Sequence, residues 1–305
     1  MATPQAGIFA LGTRTHHHLE FDLRPDADPD AVRAALARMN GPSVTAGGNN
    51  IVIGFGAGLW GDLCTSPPRD LGDFEQIDGL HDHSAPSTQH DIWVWIHGTG
   101  TDAVLDTADA INETFDAVAR LVDETECFVY HDSRDLTGFI DGTENPPPGE
   151  APRVALIADG VPGAGGAHVI AQRWVHDIDS FNALDVAQQE GVFGRTKDDS
   201  TAIPRSERPV NAHIMRAELL DEDGEERPIY RRSAPCGNVA ERGLYFLGFS
   251  PERDRFDGML SRMFGTIGDG VHDHLLDFSR AVTGSYYFAP SLEDLAAASA
   301  APAGA

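Results

Sequence analysis

His18-Leu19-Glu20-Phe21-Asp22-Leu23 alternates polar and apolar residues, and a period of two places Leu19, Phe21 and Leu23 on one face of a half-buried strand. Asp28 then stands where it can cap a helix with Pro29 in its first turn. Val32, Ala35, Leu36 and Met39 recur at helical spacing until Gly41 stops the run. Asn50 to Gly56 is apolar and β-branched, and in Asp91 to His97 the residues Ile92, Val94 and Ile96 alternate with Trp93, Trp95 and His97, giving two further strands. Helical spacing runs from Val104 through Leu105, Ala108, Ile111, Phe115, Val118 and Ala119 to Val122, and Glu126 to His131 reads as a strand. The order β-α-β-β-α-β predicts a ferredoxin-like unit, an antiparallel sheet with its apolar face under two helices.

Residues 136–152, with Pro146-Pro147-Pro148, form a Gly/Pro-rich linker through which no regular element can run. Beyond it the order recurs. Strands are predicted at Ala167–His176, Asn211–Leu220, Leu244–Ser250 and Tyr286–Phe288, and helices at Ile178–Glu190 and Glu252–Phe264. The expected fold class is α+β, with two ferredoxin-like (βαββαβ) units and antiparallel sheets. The N-terminal domain spans 1–135, the linker 136–152 and the C-terminal domain 153–305, whose Ala-rich tail from Ala296 is expected to fray.

The 305 residues suffice for two domains, and 41% hydrophobic with 23% charged residues is ordinary globular usage, which excludes wholesale disorder. The formal net charge of −26 repels phosphate backbones and anionic lipid, so the expected partners include no nucleic acid and no membrane. No apolar run approaches the roughly 20 residues of a membrane span. Cys64, Cys127 and Cys236 are odd in number, far apart in sequence and without a CxxC, which argues against a disulfide framework or zinc knuckle and predicts a cytoplasmic setting. Walker A, HExxH and GxSxG strings are absent, leaving P-loop nucleotide, zincin and serine-hydrolase chemistry unsupported.

The linker carries the densest signal, Gly138-Phe139-Ile140-Asp141-Gly142-Thr143-Glu144-Asn145-Pro146. Glycines at 138 and 142 permit positive φ or close approach of a ligand, so Asp141 is either a proton acceptor on a constrained turn or an Asx-turn closing the loop. His213 lies alone among apolar neighbours in a strand-like run, as a core histidine or a ligand. Arg231 and Arg232 are either a solvated pair or a stabiliser of developing negative charge. His81-Asp82-His83 and His272-Asp273-His274 could bind a non-haem metal. His16-His17-His18 fits a strand edge, a surface metal accident or a pocket wall. The four tryptophans read as core or as an electron path.

Taken together, these segments resemble the dye-decolorizing peroxidases, and within them the bacterial P-type (formerly B-type) group. The resemblance covers nearly the whole chain. Its carriers are Asp135 to Pro146, which matches the family's GxxDG motif and its flanks, Gln172 to Asp177, Gly194 to Lys197, the His213 segment, Leu244 to Phe246 and Val282 to Ser291. It implies a haem peroxidase with one haem b per chain, held in the C-terminal half. The enzyme would reduce hydrogen peroxide through an oxoferryl state and oxidise dyes, phenols and other small organic electron donors. His213 matches the proximal iron ligand and Asp273 its carboxylate partner. Asp141 matches the distal base and Arg231, eighteen residues after His213, the distal arginine. Arg195, Phe246 and Ser233 complete the expected haem contacts. Ser233 departs from the family, many of whose P-type members carry Asn there; it keeps hydrogen bonding, shortens the reach and puts the oxidation rate in doubt. Relatives often assemble, so a homo-oligomer is possible. Two other readings stay open: a haem-handling or haem-sensing protein, which does not need Asp141 and Arg231 together, and a non-haem metal protein using the two His-Asp-His clusters.

Overall fold

Alternation along β1 (Thr15–Leu23) and β5 (Ile92–Gly98) divides their side chains between two environments, and that division sets the architecture. The computed structural model describes residues 2–39 and 48–300. Leu19, Phe21, Ile92, Val94 and Ile96 pack outward beneath α1 (Pro29–Met39) and α3 (Thr101–Phe115), against Val32, Leu36, Val104, Ile111 and Phe115. β2 (Asn50–Phe55) flanks β5 and β6 (Ala119–Phe128) flanks β1, giving the spatial order β2-β5-β1-β6. Between β2 and β5 lie α2 (Ala57–Leu63) and a small pair, β3 (Ile77–Asp78) with β4 (Ser84–Ala85).

The second half runs α4 (Ala151–Ala155), β7 (Ala167–His176), α5 (Ile178–Asn182), α6 (Val186–Phe193), α7 (His213–Ala217), β8 (Tyr230–Arg231), β9 (Ala234–Gly237) and β10 (Arg242–Ser250). It ends with α8 (Asp254–Met263), β11 (Ser279–Ala281), β12 (Ser285–Ala289) and α9 (Leu292–Ser299). Its strands lie in the order β12-β7-β10-β9, so each half sets its first strand between its third and its last. Antiparallel pairing then continues across the halves. Cys127 of β6 stands opposite Cys236 of β9, and Phe288 of β12 opposite Phe55 of β2, so eight strands close into one ring, with β8 and β11 on its rim. The two sheets expected from the sequence are thus a single closed antiparallel sheet in an α+β fold. Each half exposes unpaired edge N–H and C=O groups that the edges of the other satisfy.

The ring interior is aromatic and polar. His18 stacks on Tyr245 at 3.7 Å between centroids, Trp95 on His97 at 3.9 Å, and Arg232 lies over Trp95 at 5.0 Å. Burial first, and the Arg232 charge second, pull His16 down to about 3 and His97 to about 2, so both are neutral donors or acceptors here. Glu20, whose pKa burial raises, accepts from Tyr245 Oη at 3.0 Å and from Tyr287 Oη. All four tryptophans are buried, and His16 and His18 are interior residues, while His17 turns out to Glu124.

Local departures from the sequence reading have specific causes. α3 stops at Phe115, and Val118, Ala119 and Val122, which continue its apolar spacing, instead lead into β6, so that strand begins well before Glu126. The predicted helix at Ile178–Glu190 is two, because Asp185 forms a capping box with Gln188 and restarts the helix. The segment at Asn211–Leu220 contains no strand: α7 begins at His213 itself. The tail expected to fray from Ala296 is helical as far as Ser299, where Ser291 caps α9 and Leu295 and Ala298 pack into the core with α1 and α3; its residues 301–305 lie outside the described residues. α4 starts at Ala151, inside the expected linker. Gly41, the expected stop of α1, lies outside the described residues.

Candidate active site

The glycines of the linker adopt the conformations that made them candidates: φ is 94° at Gly138 and 78° at Gly142. Arg134 anchors the loop, donating from its guanidinium to the carbonyls of Gly138, Lys197 and Asp198 at 2.7–2.8 Å. Farther along, the Asn145 amide pairs reciprocally with the backbone of Arg231, receiving from its N–H at 2.8 Å and donating to its C=O at 2.7 Å. These two hydrogen bonds tie the Asp141 loop to Arg231, and both residues line a cavity of about 400 Å³.

Asp141 presents its exposed surface to that cavity and receives a hydrogen bond from the Gly142 N–H at 2.7 Å. Loss of bulk water pushes its pKa above the ordinary carboxylate value; Asp135 adds to the rise, while Arg231, the Gly142 N–H and His213 oppose it. The carboxylate is therefore a stronger base than one in water. Among the described residues the Arg231 guanidinium meets no hydrogen-bonding side chain, so its donors are available to whatever enters the cavity.

His213 lines the same cavity. Its Nδ1 lies 2.7 Å from Oδ2 of the fully buried Asp273, whose Oδ1 accepts from the Leu275 N–H at 2.9 Å. With Nδ1–H donated to the carboxylate, the imidazole keeps its Nε2 lone pair, the arrangement of a metal-binding histidine. Arg195 and Phe246 also line the cavity; Arg195 is held by the Ser200 carbonyl at 2.7 Å and paired with Glu144. Ser233 does not reach it. Its Oγ accepts from the Leu247 N–H at 3.3 Å, which turns the hydroxyl to the backbone of β10.

Sequence reasoning assigned no role to three further residues. His176 bridges Ser279 Oγ at 2.8 Å and Asp135 Oδ1 at 3.2 Å, both beside the cavity. Burial raises the Asp135 pKa, but His176 and Thr137 outweigh it and hold the carboxylate below its usual range. Gln172 lines the wall with both amide atoms buried and without a protein partner. Asp135, Gln172 and His176 sit inside the quoted motifs, yet no periodicity pairs residues 41 apart, as His176 and Asp135 are.

Known proteins carry the same organisation. The description "Dyp-type peroxidase, N-terminal" matches residues 5–129 and "Dyp-type peroxidase, C-terminal" residues 132–294. A dye-decolorizing peroxidase of Rhodococcus erythropolis is 37% identical over 267 residues, 86% of this chain and 78% of that protein. One of Mycobacterium tuberculosis is 37% identical over 252 residues, 81% of this chain and 74% of that protein. Among solved structures, a DypB variant of Rhodococcus jostii RHA1 in complex with heme superimposes with a TM-score of 0.89 at 34% identity, covering 96% of this chain and 97% of that one. The encapsulated DyP-type peroxidase of Mycobacterium smegmatis does so with a TM-score of 0.88 at 34% identity, over 97% and 98%. Matches to both halves in order, at this identity and over nearly the full length, leave one assignment: the chain belongs to the Dyp-type peroxidase family.

Proposed function

We propose that this chain is a haem peroxidase that binds one haem b in the cavity beneath His213, reduces hydrogen peroxide there and oxidises dyes, phenols and similar one-electron donors. The observation that carries the reading is the convergence on one cavity of a histidine with a free Nε2, backed by a buried carboxylate, with Asp141 and Arg231. The lining fits the cofactor. About 400 Å³ lies within the ~300–1,000 Å³ of small-molecule sites. Leu244, Phe246, Met259 and Leu276 offer apolar wall, Arg195, Arg205, Arg208 and Arg227 bring positive charge to it, Arg208 being the one of these four without a carboxylate partner among the described residues, and the buried Gln172 amide has no partner among them either. Haem, when bound, supplies the iron at which the peroxide O–O bond is cleaved.

The chain's own groups handle protons and charge. Asp141 accepts the proton from one peroxide oxygen and delivers it to the other, directly or through water. Arg231 stabilises negative charge on the departing oxygen. Asn145 holds Arg231 in place from the Asp141 loop, and Asp273 keeps the His213 ring oriented. A haem carrier has no use for this distal pair, which favours catalysis over haem handling. We also infer P-type membership, supported by the likeness to DypB, and a ferredoxin-like unit in each half, 1–135 and 153–305, supported by the matching strand orders. A cytoplasmic location accords with three free thiols.

The test is a stopped-flow absorbance record of haem-loaded protein mixed with one equivalent of hydrogen peroxide. A Soret band that shifts rapidly and returns when a dye is added is the expected result. A band that ignores peroxide, or bleaches without recovery, would refute peroxidase function.

A further inference from the structure

The two His-Asp-His clusters have no part in the peroxide chemistry above, apart from Asp273, and they are far apart in sequence. The fold brings them together. His83 Nε2 lies 3.1 Å and His272 Nε2 3.0 Å from the same oxygen, Oδ1 of Asp277, and one ligand atom from each of the three residues lies within 4.8 Å of the others. The His81 and His83 rings both contact the His272 ring, at centroid distances of 5.1 and 4.8 Å.

The backbone, rather than the side chains themselves, holds this arrangement. The last carbonyls of α8 have no partner within the helix. Met263 C=O instead accepts from the Asp273 N–H at 2.7 Å, and Phe264 C=O from the Leu80 N–H at 3.0 Å. Consecutive residues at one helix end thus seat both clusters, and the Gly79 N–H closes the first onto the His83 carbonyl at 2.8 Å.

We propose that His83, His272 and Asp277 form a site for a divalent metal ion of the zinc class, on the surface and separate from the haem cavity. In a tetrahedral zinc site with bonds of about 2.0–2.1 Å, ligand atoms stand about 3.3 Å apart. The contacts of 3.0 and 3.1 Å, and the 4.8 Å limit on the set, bracket that spacing, so small side-chain rotations complete it. Two imidazoles with one carboxylate select zinc, nickel or copper over magnesium or calcium, which prefer all-oxygen sets. Three protein ligands leave a fourth position for water. Both histidines are mostly buried and Asp277 is exposed, which leaves an entry path on the carboxylate side. Bound there, the ion joins the loop around His83 to the turn His274–Asp277, at whose start Asp273 holds His213.

The test uses tag-free, haem-loaded protein and zinc chloride. Equilibrium dialysis against zinc, with metal analysis, should leave one zinc per chain beyond the haem iron. Absorption fine structure at the zinc edge should show imidazole nitrogen in the first shell. His83→Ala and His272→Ala should each weaken binding by more than the ~10–100-fold that loss of an outer partner costs, with the Soret band unchanged to show that the fold is intact. Asp277→Asn supplies a third, isosteric check. Absence of retained zinc, an all-oxygen shell, or variants that all bind zinc as tightly as the parent protein overturns the site.

Discussion

Asp273→Asn is the sharpest test of the proximal arrangement, because Asn has the shape of Asp but the wrong donors. Asp273 is fully buried and both its oxygens are engaged, Oδ2 by His213 Nδ1 at 2.7 Å and Oδ1 by the Leu275 N–H at 2.9 Å. A carboxamide has one oxygen for these two donors. If that oxygen serves Leu275, the NH2 group faces Nδ1. The imidazole must then move its proton to Nε2, where it blocks iron, or leave two donors opposed. If the oxygen serves His213, the opposition moves to Leu275. Either way one charge-assisted hydrogen bond is lost, at about 1.5–3 kcal/mol, equivalent to roughly 10- to 150-fold in an equilibrium. Loss of such an outer partner costs a metal site about 10–100-fold in affinity, so haem release to an acceptor globin should accelerate by that order. The ferric/ferrous potential, read by spectroelectrochemistry, should rise as the histidine becomes less basic. Haem release and potential both equal to those of the parent protein, with an intact circular dichroism spectrum, would refute the proximal assignment.

Further outcomes are expected at three residues. Because burial raises the Asp141 pKa, its base form is present above that raised value and is lost as pH falls through it. The bimolecular peroxide rate should therefore decline at a pH above the ~3.9 of an ordinary carboxylate. Asp141→Asn should remove that acid limb and slow the peroxide step by about 10²–10⁴-fold while sparing reduction by dye; equal loss in both half-reactions, measured by stopped flow, contradicts the base role. Arg231→Leu should retain haem and lose about 10²–10³-fold in the peroxide rate, a loss typical of removing one donor to a developing charge, and an unchanged rate removes arginine from the chemistry. Asn145→Ala breaks two hydrogen bonds worth about 0.5–1.5 kcal/mol each, so it should lower the same rate partially and lower the thermal midpoint, checked by kinetics and calorimetry side by side.

The local pattern of β1, α1, β5 and α8 was legible in the sequence because burial on one face imposes a period of two or 3.6 on nearby residues. Asp141 and its glycines were legible as a constrained turn for the same local reason. Neither spacing nor composition assigned chemistry to His213 or Arg231; that came from resemblance. Elements misread were those where a local signal competes with a neighbour. Asp185 restarts a helix inside a segment read as one helix, and His213 begins a helical turn where apolar neighbours suggested a strand.

By itself the sequence determined an α+β chain with repeated strand and helix order, a linker free to take positive φ at Gly138 and Gly142, and a family-wide set of motifs. Only the tertiary structure decided that the two sheets close through Cys127 opposite Cys236 and Phe288 opposite Phe55. It also decided that Ser233 faces the backbone instead of the cavity, that Asn145 clasps Arg231, and that two His-Asp-His clusters share one carboxylate. The physical reason is the same in each case. These contacts join segments 14 or more positions apart, and their geometry arises from tertiary packing rather than from any periodicity along the chain.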